Sequence, residues 1–323
     1  MDELVAFVVV NYNGAAVIGA CIESILRQRH GNQRIFVVDN HSGDQSAAGL
    51  VGKYPGVEVV FLEKNHGYAK ANNIGIDLAL RQHPAFIALV NNDVVLHENW
   101  LDSLLRFAEG QRYDCVQSVI THYESDRVVD SLGIAVSPQL HIYDRGHGLA
   151  LEEDGASGPI FGPCFAAALF RAEMVRRLSV TGRFLDERLV SFYEDVDCCF
   201  RANLAGCRAG ILYQPLCRHR RSFTADRIPF GKYYYIGRNY FFLLGTYFPL
   251  STILRNAWNI ARQRGALWSR TIRHPVFFLA FFCGSLAGVV TLPGRRSAAR
   301  RSQRDLGESA APVLRGIREG HYG

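Results

Sequence analysis

Apolar runs and amphipathic runs alternate through the first hundred residues. Leu4 to Val10 is continuously apolar and rich in valine, as a strand buried on both faces requires. Asn11-Tyr12-Asn13-Gly14 breaks the run. Ala15 to Arg29 then places Val17, Ile18, Cys21, Ile22, Ile25 and Leu26 along one side of a helix. Strands are predicted at Arg34 to Val38, Val57 to Leu62 and Ala85 to Val90, with a helix from Ala69 to about Arg81. Each strand ends in a polar group: Asn11 to Asn13, Asp39-Asn40, Asn65-His66-Gly67-Tyr68 and Asn91-Asn92-Asp93. Ligands of open parallel sheets bind outside the carboxyl ends of the strands, so these four groups should line one crevice of an α/β nucleotide-binding half.

The pattern then changes twice. From about Asp114 to Phe170 the pieces are short and strand-like, separated by Ser137-Pro138, Gly146-His147-Gly148 and the Gly155 to Pro163 loop, which predicts a mixed-sheet region forming the crevice's other wall. Beyond it, Glu194-Asp195-x-Asp197 packs three carboxylates between Phe192, Tyr193 and the helical run Cys198 to Ala205. Carboxylates suit a helix start, where the dipole favours negative charge. In apolar surroundings they also gain the raised pKa of a proton acceptor working near neutral pH.

The last hundred residues are aromatic and basic. Tyr233, Tyr234, Tyr235, Tyr240, Phe241, Phe242, Tyr247 and Phe248 come first; Pro275 to Pro293 follows without a charge; Arg295, Arg296, Arg300, Arg301 and Arg304 close it. That apolar stretch is near the lower limit of a membrane span, its flanks are basic on both sides, and a span or an interfacial helix would each fit. A pair of core helices closing the preceding domain fits as well. Net charge is +6, and the basic end calls for anionic lipid or nucleic acid; the neighbouring apolar sequence selects lipid. Hydrophobic content of 48% and charged content of 20% over 323 residues exclude a disordered chain and permit one large domain or two ordinary ones. Eight cysteines without a CxxC pair read as reduced thiols, and the acidic start before Val5 does not read as a signal peptide, so a cytosolic N-terminal part is expected.

The candidate chemistry lies in the polar groups. Asp39 can accept a hydrogen bond from a base or ribose, or simply form a turn with Asn40 and Ser42. No GxGxxG follows the first strand, which argues against a dinucleotide cofactor; Asn11, Tyr12 and Asn13 instead offer polar side chains to a nucleoside. Asp93, with the amide of Asn92 beside it, can hold Mg2+ or Mn2+ or cap a strand. His219 stands among Arg218, Arg220 and Arg221; these arginines should favour its neutral, metal-binding form and could face a diphosphate.

Taken in order, Val10-Asn11-Tyr12-Asn13-Gly14, Val38-Asp39-Asn40-x-Ser42, Asn65-x-Gly67-Tyr68-x-x-x-Asn72-Asn73-x-Gly75, Asn91-Asn92-Asp93, Glu194-Asp195-x-Asp197 and a later histidine strongly resemble family 2 glycosyltransferases of the GT-A fold. The likeness is greatest to the branch holding rhamnosyltransferases and related envelope polysaccharide enzymes, and it runs from about residue 4 to 240, including Arg238-Asn239. It implies an α/β chain with a GT-A, Rossmann-like nucleotide-binding sheet at 1–113 and a mixed acceptor-side region at 114–228; the apolar and basic composition adds membrane-associated helices at 229–323. The resemblance also implies inverting transfer from a nucleoside diphosphate sugar (dTDP-rhamnose or a UDP-hexose) to a glycan or glycolipid hydroxyl, at the cytoplasmic face of a membrane.

By that resemblance Asp195 is the base and Glu194 its support, while Asp197 fixes the helix. Asp93 and His219 hold Mg2+ or Mn2+. Asn11, Tyr12, Asn13, Asp39, Asn65, Gly67, Asn73, Asn92, Asp93, Arg220 and Arg221 shape the donor site. Asn91-Asn92 stands where many relatives carry acids, so metal binding should lean on the donor's phosphates. Two other classes stay open: a sugar nucleotidyltransferase, against which the missing Gly-rich loop counts, and a membrane-tethered nucleotide-sugar-binding module without catalysis, against which Glu194-Asp195 counts.

Overall fold

A computed structural model describes residues 3–179, 182–221, 229–305 and 311–319; the side chains of 292–305, and with them the closing arginine run, lie outside the described set, as does the expected boundary at 228. The chain opens with β1 (Val5–Asn11), α1 (Ile18–Leu26), β2 (Gln33–Asp39), β3 (Val57–Phe61), α2 (Tyr68–Arg81) and β4 (Phe86–Asn91). Strands β1 to β4 are mutually parallel in the order β4-β1-β2-β3. Because alternate residues of a strand face opposite ways, β1 feeds two cores. Val5, Phe7 and Val9 join Ile18, Cys21, Ile22 and Ile25 of α1 on one face. Ala6 and Val8 meet Ala69, Ile76 and Ala79 of α2 on the other. Gly75 fits here because a Cβ on it would stand 2.4 Å from Val8 Cγ1. The continuous apolar runs follow from this double burial.

The second half of the sheet is mixed. After β5 (Val94–Leu96) and α3 (Trp100–Gln111) come β6 (Cys115–His122), β7 (Ser125–Ser131), the small pair β8 (Ile134–Val136) and β9 (Ile142–Asp144), and β10 (Gly158–Pro159). Strand β11 (Ala167–Arg171), α4 (Ala172–Leu178), α5 (Glu194–Leu204) and β12 (Ala209–His219) complete it. Strand β11 runs antiparallel between β4 and β6, and β12 lies parallel to β6 and antiparallel to β5. The register aligns the polar ends. Asn11 pairs with Asp39 and Val10 with Asn91, while β12 brings His219 level with His122 and Val94.

Helices α6 (Pro229–Tyr247), α7 (Leu250–Arg255), α8 (Ala257–Thr271), α9 (Pro275–Asp305) and α10 (Ala311–Arg318) follow. They share a core with α5: Tyr240, Leu243 and Leu244 of α6 cluster with Val196 and Phe200. Helix α9 crosses α6 closely enough that a Cβ on Gly284 would lie 2.0 Å from the Tyr234 carbonyl. Tyr233 and Phe277 stack with ring centres 4.9 Å apart. Among the described residues no helix is long and apolar enough to cross a membrane. All eight cysteines are free.

Candidate active site

The polar ends of β1, β2 and β4 and the start of α5 enclose a cleft of about 430 Å³. Tyr12, Asn65, Gly67, Asn92 and Asp93 line one side; Glu194, Asp195, His219 and Arg221 also reach it. So do Asn40, Tyr68, Asn91, Asp144, Phe192 and Tyr193.

The remaining sequence candidates stand behind the wall. Asn11 is fully buried and donates from Nδ2 to Asp39 Oδ1 at 2.9 Å and Ser46 Oγ at 2.7 Å, while its Oδ1 accepts from Asn92 at 2.9 Å. Asp39 also accepts from the Ser42 amide at 3.0 Å and the Ser42 hydroxyl at 2.6 Å. Asn13 accepts from the Gly43 amide at 2.8 Å. These residues brace the first two βα turns. Asn73 was expected at the donor; instead it bonds the Leu185 carbonyl and amide, each at 2.9 Å, and ties α2 to the segment before α5. Arg220 turns outward, its guanidinium 4.1 Å from the Tyr123 ring centre and 3.8 Å from Glu124. A polar residue type at a strand end does not say whether it faces the cleft or braces the backbone behind it.

Asp93 and His219 meet at one wall, with His219 Nε2 3.2 Å from Asp93 Oδ1. The other ring nitrogen, Nδ1, is 2.8 Å from Oδ2 of Asp130, a carboxylate 1% exposed that the sequence reading missed. Burial alone would lower the His219 pKa, but the hydrogen bonds to Asp130 and Asp93 win and raise it to about 9. The expectation that neighbouring arginines keep His219 neutral is therefore corrected. Arg218 points to Asp126 and Arg220 to Glu124, leaving two carboxylates to set the ring's charge. Asp130 in turn is held down to about 2: burial would raise it, and the hydrogen bond and charge of His219, then Arg221, overcome that. Arg221 donates to Asp130 Oδ1 at 2.8 Å and also pairs with Asp144. His122, Asp130 and His147 form a metal-sized group, but Arg221 already places a guanidinium N–H 3.0 Å from His147 Nδ1.

The Asp93–His219 pair fits a divalent cation on its donor chemistry. Carboxylate oxygen and imidazole nitrogen converge at the cleft, the proton between them stands where a cation could replace it, and Asp130 orients the far ring nitrogen.

The other wall holds Glu194 and Asp195 in the first turn of α5. Burial, then the charge of Asp144, pushes Asp195 up to about 7. Burial, then the charge of Asp195, pushes Glu194 up to about 8. Asp195 Oδ1 accepts from the Val196 amide at 2.7 Å, and Arg221 tempers its shift, whereas Glu194 Oε2 has no hydrogen-bond partner. Both carboxyls are therefore held well above the ordinary carboxylate range and titrate as a pair. Asp197, the third carboxylate, is committed elsewhere: it accepts from Arg201 Nε at 2.9 Å and from the Tyr247 hydroxyl at 2.6 Å.

Gly67 lines the cleft at the start of α2. Its φ of +83° is open to glycine, and a Cβ would lie 2.5 Å from Val190 Cγ1. The residues missed here have an identifiable cause. Asp130 and Asp144 belong to no local motif; the pairing of β7 with β6 sets Asp130 behind His219, and that of β9 with β8 brings Asp144 to the cleft.

Comparison with known proteins places this geometry. Glycosyltransferase GlyG of Streptococcus pneumoniae is 32% identical over 130 residues, 39% of this chain and 42% of that protein. The amylovoran biosynthesis glycosyltransferase AmsB of Erwinia amylovora is 24% identical over 223 residues, 68% of this chain and 70% of that protein. The chain thus spans less than half of the first relative's length. In fold it is similar to the mannosyltransferase PcManGT from Pyrobaculum calidifontis in complex with GDP-Man and Mn2+, with a TM-score of 0.50 at 16% identity, over 96% of this chain and 78% of that one. The model of the family described as Glycosyl transferase family 2 matches residues 6–178, more than half of the chain. That match takes in the parallel strands and the start of the mixed half of the sheet, and the chain belongs to glycosyl transferase family 2.

Proposed function

We propose that this chain is an inverting, metal-dependent glycosyltransferase that moves a sugar from a nucleoside diphosphate donor, dTDP-rhamnose or a UDP-hexose, to an acceptor hydroxyl on a glycan or glycolipid of polysaccharide synthesis. One observation carries the reading. The cleft opposes a cation-type wall, Asp93 with His219, to a proton-accepting wall, Asp195 with Glu194. Asp195 takes the acceptor hydroxyl's proton as that oxygen attacks the face of the sugar opposite the departing diphosphate, so the anomeric centre inverts. Glu194 stays protonated beside it and limits the negative charge in the pocket. Arg221 meets the charge that builds on the leaving diphosphate. Asp93 and His219 would hold Mg2+ or Mn2+, which supplies further charge neutralisation on the diphosphate when bound. Tyr12, Asn65 and Asn92 offer the nucleoside its polar contacts. The Mn2+ in the PcManGT complex and the biosynthetic name of AmsB support this reading.

We further propose that the acceptor lies at a membrane surface, on its cytoplasmic side. Helices α7 to α9 leave Leu254, Trp258, Ile272, Val276, Leu279, Phe282, Leu286 and Val290 exposed, with Arg255, Arg262 and Arg273 beside them. Apolar side chains among arginines suit the headgroup layer of an anionic bilayer. A lipid-linked acceptor would then share a surface with the enzyme. A panel of nucleotide sugars, assayed for binding and hydrolysis with and without Mn2+ or Mg2+, tests the donor reading. Turnover of one donor that depends on the cation is expected; binding without turnover would make the chain a binding module. Co-sedimentation with phosphatidylglycerol vesicles tests the surface reading, and a chain left in the supernatant at low salt would refute it.

A further inference from the structure

We propose that Arg238 and Asn239 of α6 are positioning residues for catalysis, holding the short segment that launches α5 in a backbone conformation it would not otherwise keep. The inference rests on the reading of Asp195 as the base. Directly ahead of Glu194, three non-glycine residues lie in the left-handed region: Val190 at φ +66°, Phe192 at +68° and Tyr193 at +69°. Each such residue is strained, and it persists only where its surroundings impose it. Val190 is β-branched, the least tolerant type. Nothing in the local sequence supplies a reason for this path.

The reason lies about fifty residues later. Asn239 is fully buried, and its Nδ2 donates to the carbonyls of Leu189 at 2.9 Å, Ser191 at 2.9 Å and Phe192 at 2.8 Å. Two N–H bonds thus serve three carbonyls that the left-handed turns point towards one spot. Arg238 adds donors to the carbonyls of Arg188 at 2.7 Å and Leu189 at 3.0 Å. Its Nε donates to Asn239 Oδ1 at 2.9 Å and so fixes which way the amide faces. From the opposite side the Tyr68 amide donates to Ser191 Oγ at 3.1 Å and the Ala69 amide to the Val190 carbonyl at 3.0 Å. The segment is therefore held between the start of α2, on the nucleoside side, and α6. Glu194 and Asp195 are the next two residues, and the Tyr193 carbonyl takes the first helical bond from Asp197 at 2.9 Å. A slip of the segment would move both carboxylates.

Asn239→Ala removes the shared donor. In the full chain, amide hydrogen exchange of peptides covering 188–198 should accelerate about tenfold or more, as expected for local opening, with the rest of the chain within about twofold. For the donor that the nucleotide-sugar panel identifies, kcat should fall about 100-fold, the scale of a misplacement near 1 Å, with KM within about threefold. Adding Val190→Gly, which adopts positive φ without strain, should restore about tenfold of kcat. Arg238→Met, at a partly exposed position, provides a second variant with the same local exchange signature if Asn239→Ala does not accumulate. Unchanged exchange at 188–198, a uniform rise across the chain, or a loss carried by KM would each overturn the proposal. The exchange measurement needs no turnover, so it decides the positioning role even if no nucleotide sugar is used.

Discussion

Asp195→Asn should inactivate the protein and stabilise it, and the stabilisation should depend on pH. The folded chain raises the Asp195 pKa from 3.8 to about 7. In the folded state the carboxyl therefore keeps its proton to higher pH than in the unfolded chain. Its stabilising contribution is fully present below about pH 4 and is lost as pH rises through 7. Above that, an ionised Asp195 is a liability of about 4 kcal/mol, taking about 1.4 kcal/mol for each of three units. Because Glu194 shares the burden of the coupled pair, about 2 kcal/mol should be recovered on substitution. Asparagine retains the carbonyl oxygen that accepts from the Val196 amide, so no hydrogen bond offsets the gain. Thermal melts at pH 8.5 should show a rise of about 4 °C, and at pH 5.5 about half of it. Donor binding should change less than about threefold, while transfer is lost. A variant equally stabilised at both pH values, or destabilised at pH 8.5, would refute the burial argument. Full turnover would remove Asp195 as base.

The unsubstituted enzyme should show a kcat/KM that rises with pH through about 7, since Asp195 must be ionised to accept a proton; a flat profile between pH 5.5 and 8.5 would contradict that role. Asp93→Ala should lower donor affinity at least tenfold in Mn2+ and leave the small metal-free binding unchanged, as read by calorimetry with the nucleoside diphosphate. Gly67→Ala meets Val190 at 2.5 Å in a positive-φ position, and a loss of about 2 kcal/mol is expected from denaturant unfolding. Gly284→Leu should separate α9 from α6, because the Tyr234 carbonyl lies where its Cβ must go; limited proteolysis should then cut the α9 region faster.

The parallel half of the sheet was legible because its signal is redundant. Valine-rich runs, helical periodicity and polar strand ends each give the same answer, and the register of β1 with β2 and β4 aligns the ends without further help. The facing of single side chains was not legible. Asn11 and Asn92 stand at neighbouring strand ends and hydrogen-bond each other, yet only Asn92 lines the cleft. Asn73 was expected at the donor through the motif it shares with the family, but its side chain bonds Leu185. Charge logic failed for His219 for a related reason. Sequence neighbours on a strand point to opposite faces, so adjacent arginines say less about its proton than Asp130, which is 89 residues away along the chain.

Those two walls also explain how one cleft can hold carboxylates in opposite states. Asp130 has the protonated imidazole of His219 and the Arg221 guanidinium against it, and it stays anionic far below neutral pH. Asp195 has one tempering cation, the same Arg221, while burial and the charge of Asp144 raise it. Groups pushed apart in this way take different work. Asp130 stays anionic and keeps the His219 imidazole charged, so a cation at Asp93 and His219 would have to displace that proton, whereas Asp195, near its own pKa, can accept a proton and release it again. Arg221 bonds one wall and lies within electrostatic reach of the other. Arg221→Gln should therefore raise the Asp195 pKa further, moving the acid limb of kcat/KM to higher pH, while also weakening the hold on the diphosphate. If the limb stayed in place or moved to lower pH, Arg221 would act on the donor alone and the two walls would titrate independently.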